Sequence, residues 1–245
     1  MVLSCKSIYL NVHKTGKGVL LQSSYDLFLA LNNMGYLKTT RDPLWWPRSG
    51  TFEVIIGAIL TQQTKWEKVE ASLANLKEAG LLSLEALSRA EVGQIATLIK
   101  PSGFYNTKAQ RLQHLCQNIL NEFDTFERFQ NDVTREWLLG QKGIGMESAD
   151  SILCYGCGRE VFVVDSYTAR LLEALGYTFE SYMQIQEWMQ EGIEANFDKI
   201  IRKYGNALTL HTLYARFHGM IVEYAKEHIR GKNVHTETLK KSIEG

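Results

Sequence analysis

Only three prolines occur in 245 residues, and no apolar run approaches the roughly 20 residues that a helix needs to cross a bilayer. The first scarcity leaves helices unbroken, and the second argues against a membrane-spanning chain. The N-terminal MVLSCKSIYLNVHKTGKG has no continuous apolar core and no small-residue cleavage pattern, so a cytoplasmic protein is expected. Charge of one sign is also missing. Lys plus Arg and Asp plus Glu both number 27, and bulk basicity therefore does not announce a nucleic-acid binder. The four cysteines, Cys5, Cys116, Cys154 and Cys157, do not form a disulfide framework for a chain of this size. Cys154 and Cys157 make a C-x-x-C within SADSILCYGCG, but no second pair at zinc spacing accompanies them, so packing thiols and no metal are expected.

What is present is helical periodicity. FEVIIGAILTQQ, KAQRLQHLCQNIL and DSYTARLLEALG carry apolar residues at helical spacing, and the fold class expected is all-α. A helix is expected over 24–34, then others over 52–62, 65–78, 83–88, 90–99, 106–122, 132–140, 146–157, 166–175, 182–195 and 199–228, the last broken near Gly205. Residues 1–21 resemble a loosely attached, disordered extension because TGKG interrupts any pattern.

The most informative stretch is LGQKGIGMESAD, from Leu139 to Asp150, followed by VFVV and Asp165. Gly143 and Gly145 leave backbone N–H groups uncovered where a helix begins near Met146, and the helix dipole favours a phosphate there. Lys142 adds a cation to this turn. Between Gln94 and Asn121 no acid occurs, while Lys100, Lys108, Arg111 and His114 do; phosphate contact and a solvated helix face explain these cations about equally well. Asp165 has the position of an N-cap for a helix starting at Ser166, a role that does not prevent a chemical one.

Three stretches together resemble the helix-hairpin-helix DNA glycosylases, the superfamily of endonuclease III: QKGIG with the downstream Asp165, AILTQQTKW, and SGFYNTKAQRL. The resemblance covers roughly residues 24–230. It implies two helical domains with the active site in the cleft between them. One is a helical barrel over 43–159 that ends in the hairpin; the other is formed by both chain ends, 22–42 and 160–232, leaving 233–245 as a tail. It also implies double-stranded DNA with damaged bases as the partner, a monomer, and the bacterial cytosol or nucleoid as the location.

Site roles follow residue by residue. An enzyme acting on a base in a duplex must extrude the nucleotide and plug the gap, and Gln62 and Phe104 match the family's wedge and plug. Lys108, Lys142, Gly143, Ile144 and Gly145 complete the expected DNA contacts. Cleaving the N-glycosidic bond builds positive charge on the sugar, which a carboxylate stabilises; Asp165 stands at that position. Strand-cutting members use a Lys amine on the helix after the hairpin, where this chain has Glu147. A carboxylate forms no Schiff base, so a monofunctional glycosylase is expected. Many members end in four cysteines holding a 4Fe–4S cluster; here Glu223 occupies the first position and no cysteine follows Cys157, so no cofactor is expected.

Trp45, Trp46 and Pro47 lie just ahead of the barrel, and Trp66 follows the wedge turn. Electron-rich indoles bind a cationic methylated base by stacking and cation–π attraction, about 0.5–2 kcal/mol per contact. With WWP, SGFYN, REWLL-x-QKGIG and LYARFHG, the chain is similar to a bacterial subgroup of 3-methyladenine DNA glycosylases, which implies a base pocket of Trp45, Trp46, Pro47 and Trp66 near Glu147. Met220 follows the HG pair where a relative has lysine, so a charge there is lost. Two alternatives stay open: a glycosylase for oxidised or mismatched bases, and a non-catalytic DNA-binding hairpin module.

Overall fold

The computed structural model describes residues 13–14, 21–36, 43–205 and 207–244. Most of the expected N-terminal extension therefore lies outside the described residues. Of it, His13–Lys14 (β1) pairs antiparallel with Tyr177–Thr178 (β2).

The chain divides into two compact units, residues 39–163 and a unit of both chain ends, 1–38 with 164–245. The 39–163 unit contains α2 (Glu53–Leu60), α3 (Trp66–Glu78), α4 (Leu84–Arg89), α5 (Val92–Leu98), a 3-10 turn at Lys100–Ser102, α6 (Tyr105–Phe123), α7 (Phe126–Asp132), α8 (Arg135–Leu139) and α9 (Met146–Ser151). A π-helical turn, Ile152–Gly156, continues α9. Seven consecutive residues of α2, Val54–Leu60, are buried, because this helix is apolar all round and runs through the middle of the unit. Ile55, Ile59, Leu76, Leu87, Ile95, Leu112, Ile119, Phe129 and Ile152 share one core around it. Each fully buried aliphatic chain contributes about 1.5–3 kcal/mol relative to an exposed one.

The unit of both chain ends contains α1 (Ser24–Asn33), α10 (Ser166–Ala174), α11 (Tyr182–Glu194), α12 (Phe197–Tyr204), α13 (Leu210–His228) and α14 (Glu237–Glu244), with the short hairpin β3 (Ile229–Arg230) and β4 (Asn233–Val234). α1 begins with a capping box between Ser23 and Asp26. It crosses α11 so closely that a Cβ at Gly192 would collide with Ser24, whose hydroxyl donates to the Met189 carbonyl at 2.8 Å.

Two elements depart from expectation. α7 forms where a loop was expected, because Thr125 accepts the Arg128 N–H and Phe129 is fully buried. Residues 233–245, expected as a tail, provide β4 and α14; Leu239 is fully buried and Ser242 donates to the Ala30 carbonyl on α1.

Candidate active site and DNA-facing turns

The hairpin is built by α8, the turn Gly140–Gly145 and α9. Thr134 caps α8 through the Trp137 N–H, and a bidentate pair from Arg135 to the fully buried Asp150, 2.7 and 2.9 Å, clamps α8 to α9. Gly143 has φ +83, and a Cβ there would also collide with the Arg111 guanidinium. Gly145 is extended and a Cβ there would meet nothing. Lys142, Gly145 and Glu147 are exposed. The Ile144 side chain is not: it belongs to the core, and its N–H donates to the Gln141 carbonyl. A DNA contact by this residue is thus confined to its remaining backbone.

Gln62 differs from its expected role. Its Nε2 donates to the Gly143 carbonyl at 2.9 Å and to Ser148 Oγ at 3.0 Å, and its Oε1 accepts from Arg111 at 3.0 Å. The side chain ties α2 to the hairpin. The residue facing solvent in this turn is Gln63, exposed and held at φ +54, a conformation that non-glycine residues adopt at a cost. Phe104 repeats the pattern in the next turn, 69% exposed at φ +45.

Lys108 is a second correction. Only 2% exposed, its ammonium donates to the Leu60 carbonyl, Thr64 Oγ1 and the Ser102 carbonyl, each at 2.8 Å. Burial and the neighbouring Arg111 push its pKa down to about 8. It cannot reach a phosphate, and the run of cations expected along this segment is interrupted at its centre.

The tryptophans converge. Trp46 lies edge-on to Trp66 at 5.6 Å and against Tyr155 at 5.2 Å, while Trp45 stands 6.2 Å from Trp46 and 6.0 Å from Tyr155. Trp46 is buried against Gly57, where a Cβ would sit 3.2 Å from the indole. Trp45 and Trp66 are half-buried and Pro47 is exposed. Trp45 is held at φ +72, and Gly50 anchors the loop by donating to the Tyr155 carbonyl at 2.7 Å. Tyr155 had no role assigned from sequence. The π-helical turn that carries it shifts the helical register, which periodicity alone does not reveal.

In the other unit, Asp165 caps α10. Its Oδ1 accepts from the Thr168 N–H at 2.7 Å and the Thr168 hydroxyl at 2.8 Å, while Oδ2 lies 3.6 Å from His218 Nε2 on α13. Burial alone would raise the carboxyl pKa, but His218 and the two Thr168 hydrogen bonds more than offset it and hold the group below its ordinary value.

The residues present do not fit an iron–sulfur cluster. No cysteine follows Cys157, and Glu223 is engaged with Lys226 at 3.0 Å. Cys116, Cys154 and Cys157 are thiols whose pKa values burial raises, which suits packing rather than metal ligation. Among the described residues no helix is long and apolar enough to cross a membrane.

Residues 56–195 match the family described as HhH-GPD superfamily base excision DNA repair protein. The H. pylori 3-methyladenine DNA glycosylase, solved with bound 1,N6-ethenoadenine, is 44% identical with a TM-score of 0.81, and the match covers 84% of this chain and 98% of that one. A protein of Methanocaldococcus jannaschii provisionally named as a DNA repair glycosylase is 36% identical over 195 residues, 77% of this chain and 82% of its own length. A non-covalent endonuclease III–DNA complex, 15% identical with a TM-score of 0.67 over 92% of this chain and 100% of that one, shares the fold. The chain belongs to the HhH-GPD superfamily of base excision DNA repair proteins and is one of its DNA glycosylases.

Proposed function

We propose that this protein is a monofunctional glycosylase that extrudes an alkylated base, 3-methyladenine in the first instance, and hydrolyses its N-glycosidic bond to leave an abasic site. The observation that carries the chemistry is the state of Asp165: one oxygen is pinned by Thr168, and the carboxylate is held ionised beside His218. An anion so placed stabilises the oxocarbenium character of the sugar and orients the attacking water. As the bond breaks, its electron pair leaves with the ring nitrogen, and a cationic methylated base departs neutral. No strong acid is needed.

Trp45 and Trp66, both half-buried, supply the electron-rich surface for such a base, with the buried Trp46 and Tyr155 as their support. The 44% identity to the H. pylori 3-methyladenine enzyme supports the same substrate class. Gln63, rather than Gln62, is the residue positioned to fill the vacated stack together with Phe104, and Gly143 and Gly145 anchor the backbone. Glu147 stands where an attacking amine would be needed, so strand cleavage is absent from this proposal.

The test is incubation with duplexes carrying single defined lesions, followed by hot alkali to reveal abasic sites. Release of 3-methyladenine, with no strand break before alkali and no borohydride-trapped covalent complex, supports the proposal. Trapping, or activity confined to oxidised pyrimidines, overturns it.

A further inference from the structure

Lys108 has no part in the chemistry above, and its burial is costly. Removing an ammonium from water is repaid only by close, well-directed acceptors, and an apolar side chain of similar length would pack here without that cost. What the ammonium provides is three donors from a single atom. They reach Leu60 at the end of α2, Thr64 in the α2–α3 turn and Ser102 in the 3-10 turn. Thr64 itself donates to the Ser102 carbonyl at 2.6 Å, so lysine, threonine and carbonyl close a ring across two turns 38 positions apart in the chain.

These are the two turns that present Gln63 and Phe104. Each residue is a left-handed, solvent-facing position flanked by a member of that ring or its immediate neighbour: Gln63 precedes Thr64, and Phe104 lies two positions after Ser102. Chain connectivity does not set their separation, and both side chains are exposed. Two side chains that enter one duplex at one extruded nucleotide must stay in register with a base step of about 3.4 Å. We propose that Lys108 is a positioning residue that locks the two turns to each other and thereby sets the spacing at which Gln63 and Phe104 enter DNA, a role that rests on the base-extrusion function proposed above.

The experiment uses the full chain as wild type, Lys108→Met and Thr64→Val, with thermal melts to establish folding. Binding is measured to a duplex carrying a tetrahydrofuran abasic-site analogue and to the intact duplex, with 2-aminopurine beside the gap reporting insertion. Wild type is expected to prefer the gapped duplex. Lys108→Met is expected to lose on the order of 10- to 100-fold of that preference, with intact-duplex affinity unchanged and the 2-aminopurine signal reduced. Thr64→Val, which removes one corner of the ring, is expected to shift in the same direction by less, and it decides the matter alone if Lys108→Met does not fold. Folded variants that keep the wild-type preference and signal overturn the positioning role and leave base extrusion standing. A wild type that shows no preference for the gap overturns base extrusion itself, and the role of Lys108 with it.

Discussion

Gln62 Nε2 donates to the carbonyl of Gly143 across 2.9 Å, joining the helix that leads to the exposed turn with the hairpin between α8 and α9. Because the same amide also bonds Ser148 and Arg111, it is consumed internally and cannot enter DNA without releasing three partners. The two adjacent glutamines therefore have opposite expected phenotypes. Gln63→Ala should lower excision and leave the melting temperature unchanged. Gln62→Ala should cost about 1–3 kcal/mol of stability, read by denaturant unfolding, because it strands three polar groups. The reverse pattern would return the wedge to Gln62.

Asp165→Asn separates cap from chemistry. Asn caps helices as well as Asp, so near neutral pH the variant should stay folded and give up only what the ionised carboxylate adds to stability, while single-turnover excision falls by about 10²–10³ and DNA binding persists. Asp165→Ala should add a stability loss of about 1 kcal/mol from the missing cap. Equal loss of folding in both variants would mark the residue as structural only.

The lowered Asp165 pKa also makes a pH prediction. The folded carboxyl holds its proton less tightly than the unfolded one, so its contribution to stability is complete above the unfolded value, 3.8, and is lost as pH falls through the lower folded value. Urea unfolding from pH 6 down into this acid range should show a steeper loss in wild type than in Asp165→Asn. Identical acid slopes would refute it.

Arg135 and Asp150 clamp the hairpin helices, and Asp150 is wholly buried. Arg135→Met should destabilise by about 3–5 kcal/mol by taking the bidentate guanidinium away from a buried carboxylate, and Arg135→Met with Asp150→Leu should recover most of that loss. A single variant within 1 kcal/mol of wild type, on the order of an exposed pair, would show the clamp to be dispensable.

Gly143 and Gly145 should respond differently to alanine. Gly143→Ala meets both the positive φ and the Arg111 guanidinium and should destabilise the fold, by more than about 1 kcal/mol. Gly145→Ala meets nothing within the protein and should leave the melt unchanged. A loss of duplex affinity in Gly145→Ala alone would show that a phosphate approaches that backbone closely.

Local chemistry was legible in the sequence: apolar spacing marked most helices, and Asp165 accepts the Thr168 N–H in the first turn of its helix, as its type and position indicate. QKGIG marked the hairpin between α8 and α9. These features depend on a few neighbouring residues, so the sequence by itself determined them. Only the tertiary structure decided that Lys108 is buried among three acceptors, that Gln63 rather than Gln62 faces solvent, that Tyr155 joins the tryptophans through a π-helical turn, and that 233–244 packs as β4 and α14. Each of these depends on partners far away in the chain, and residue type reports a side chain's capacity to bond but not which distant carbonyl folding will bring to it.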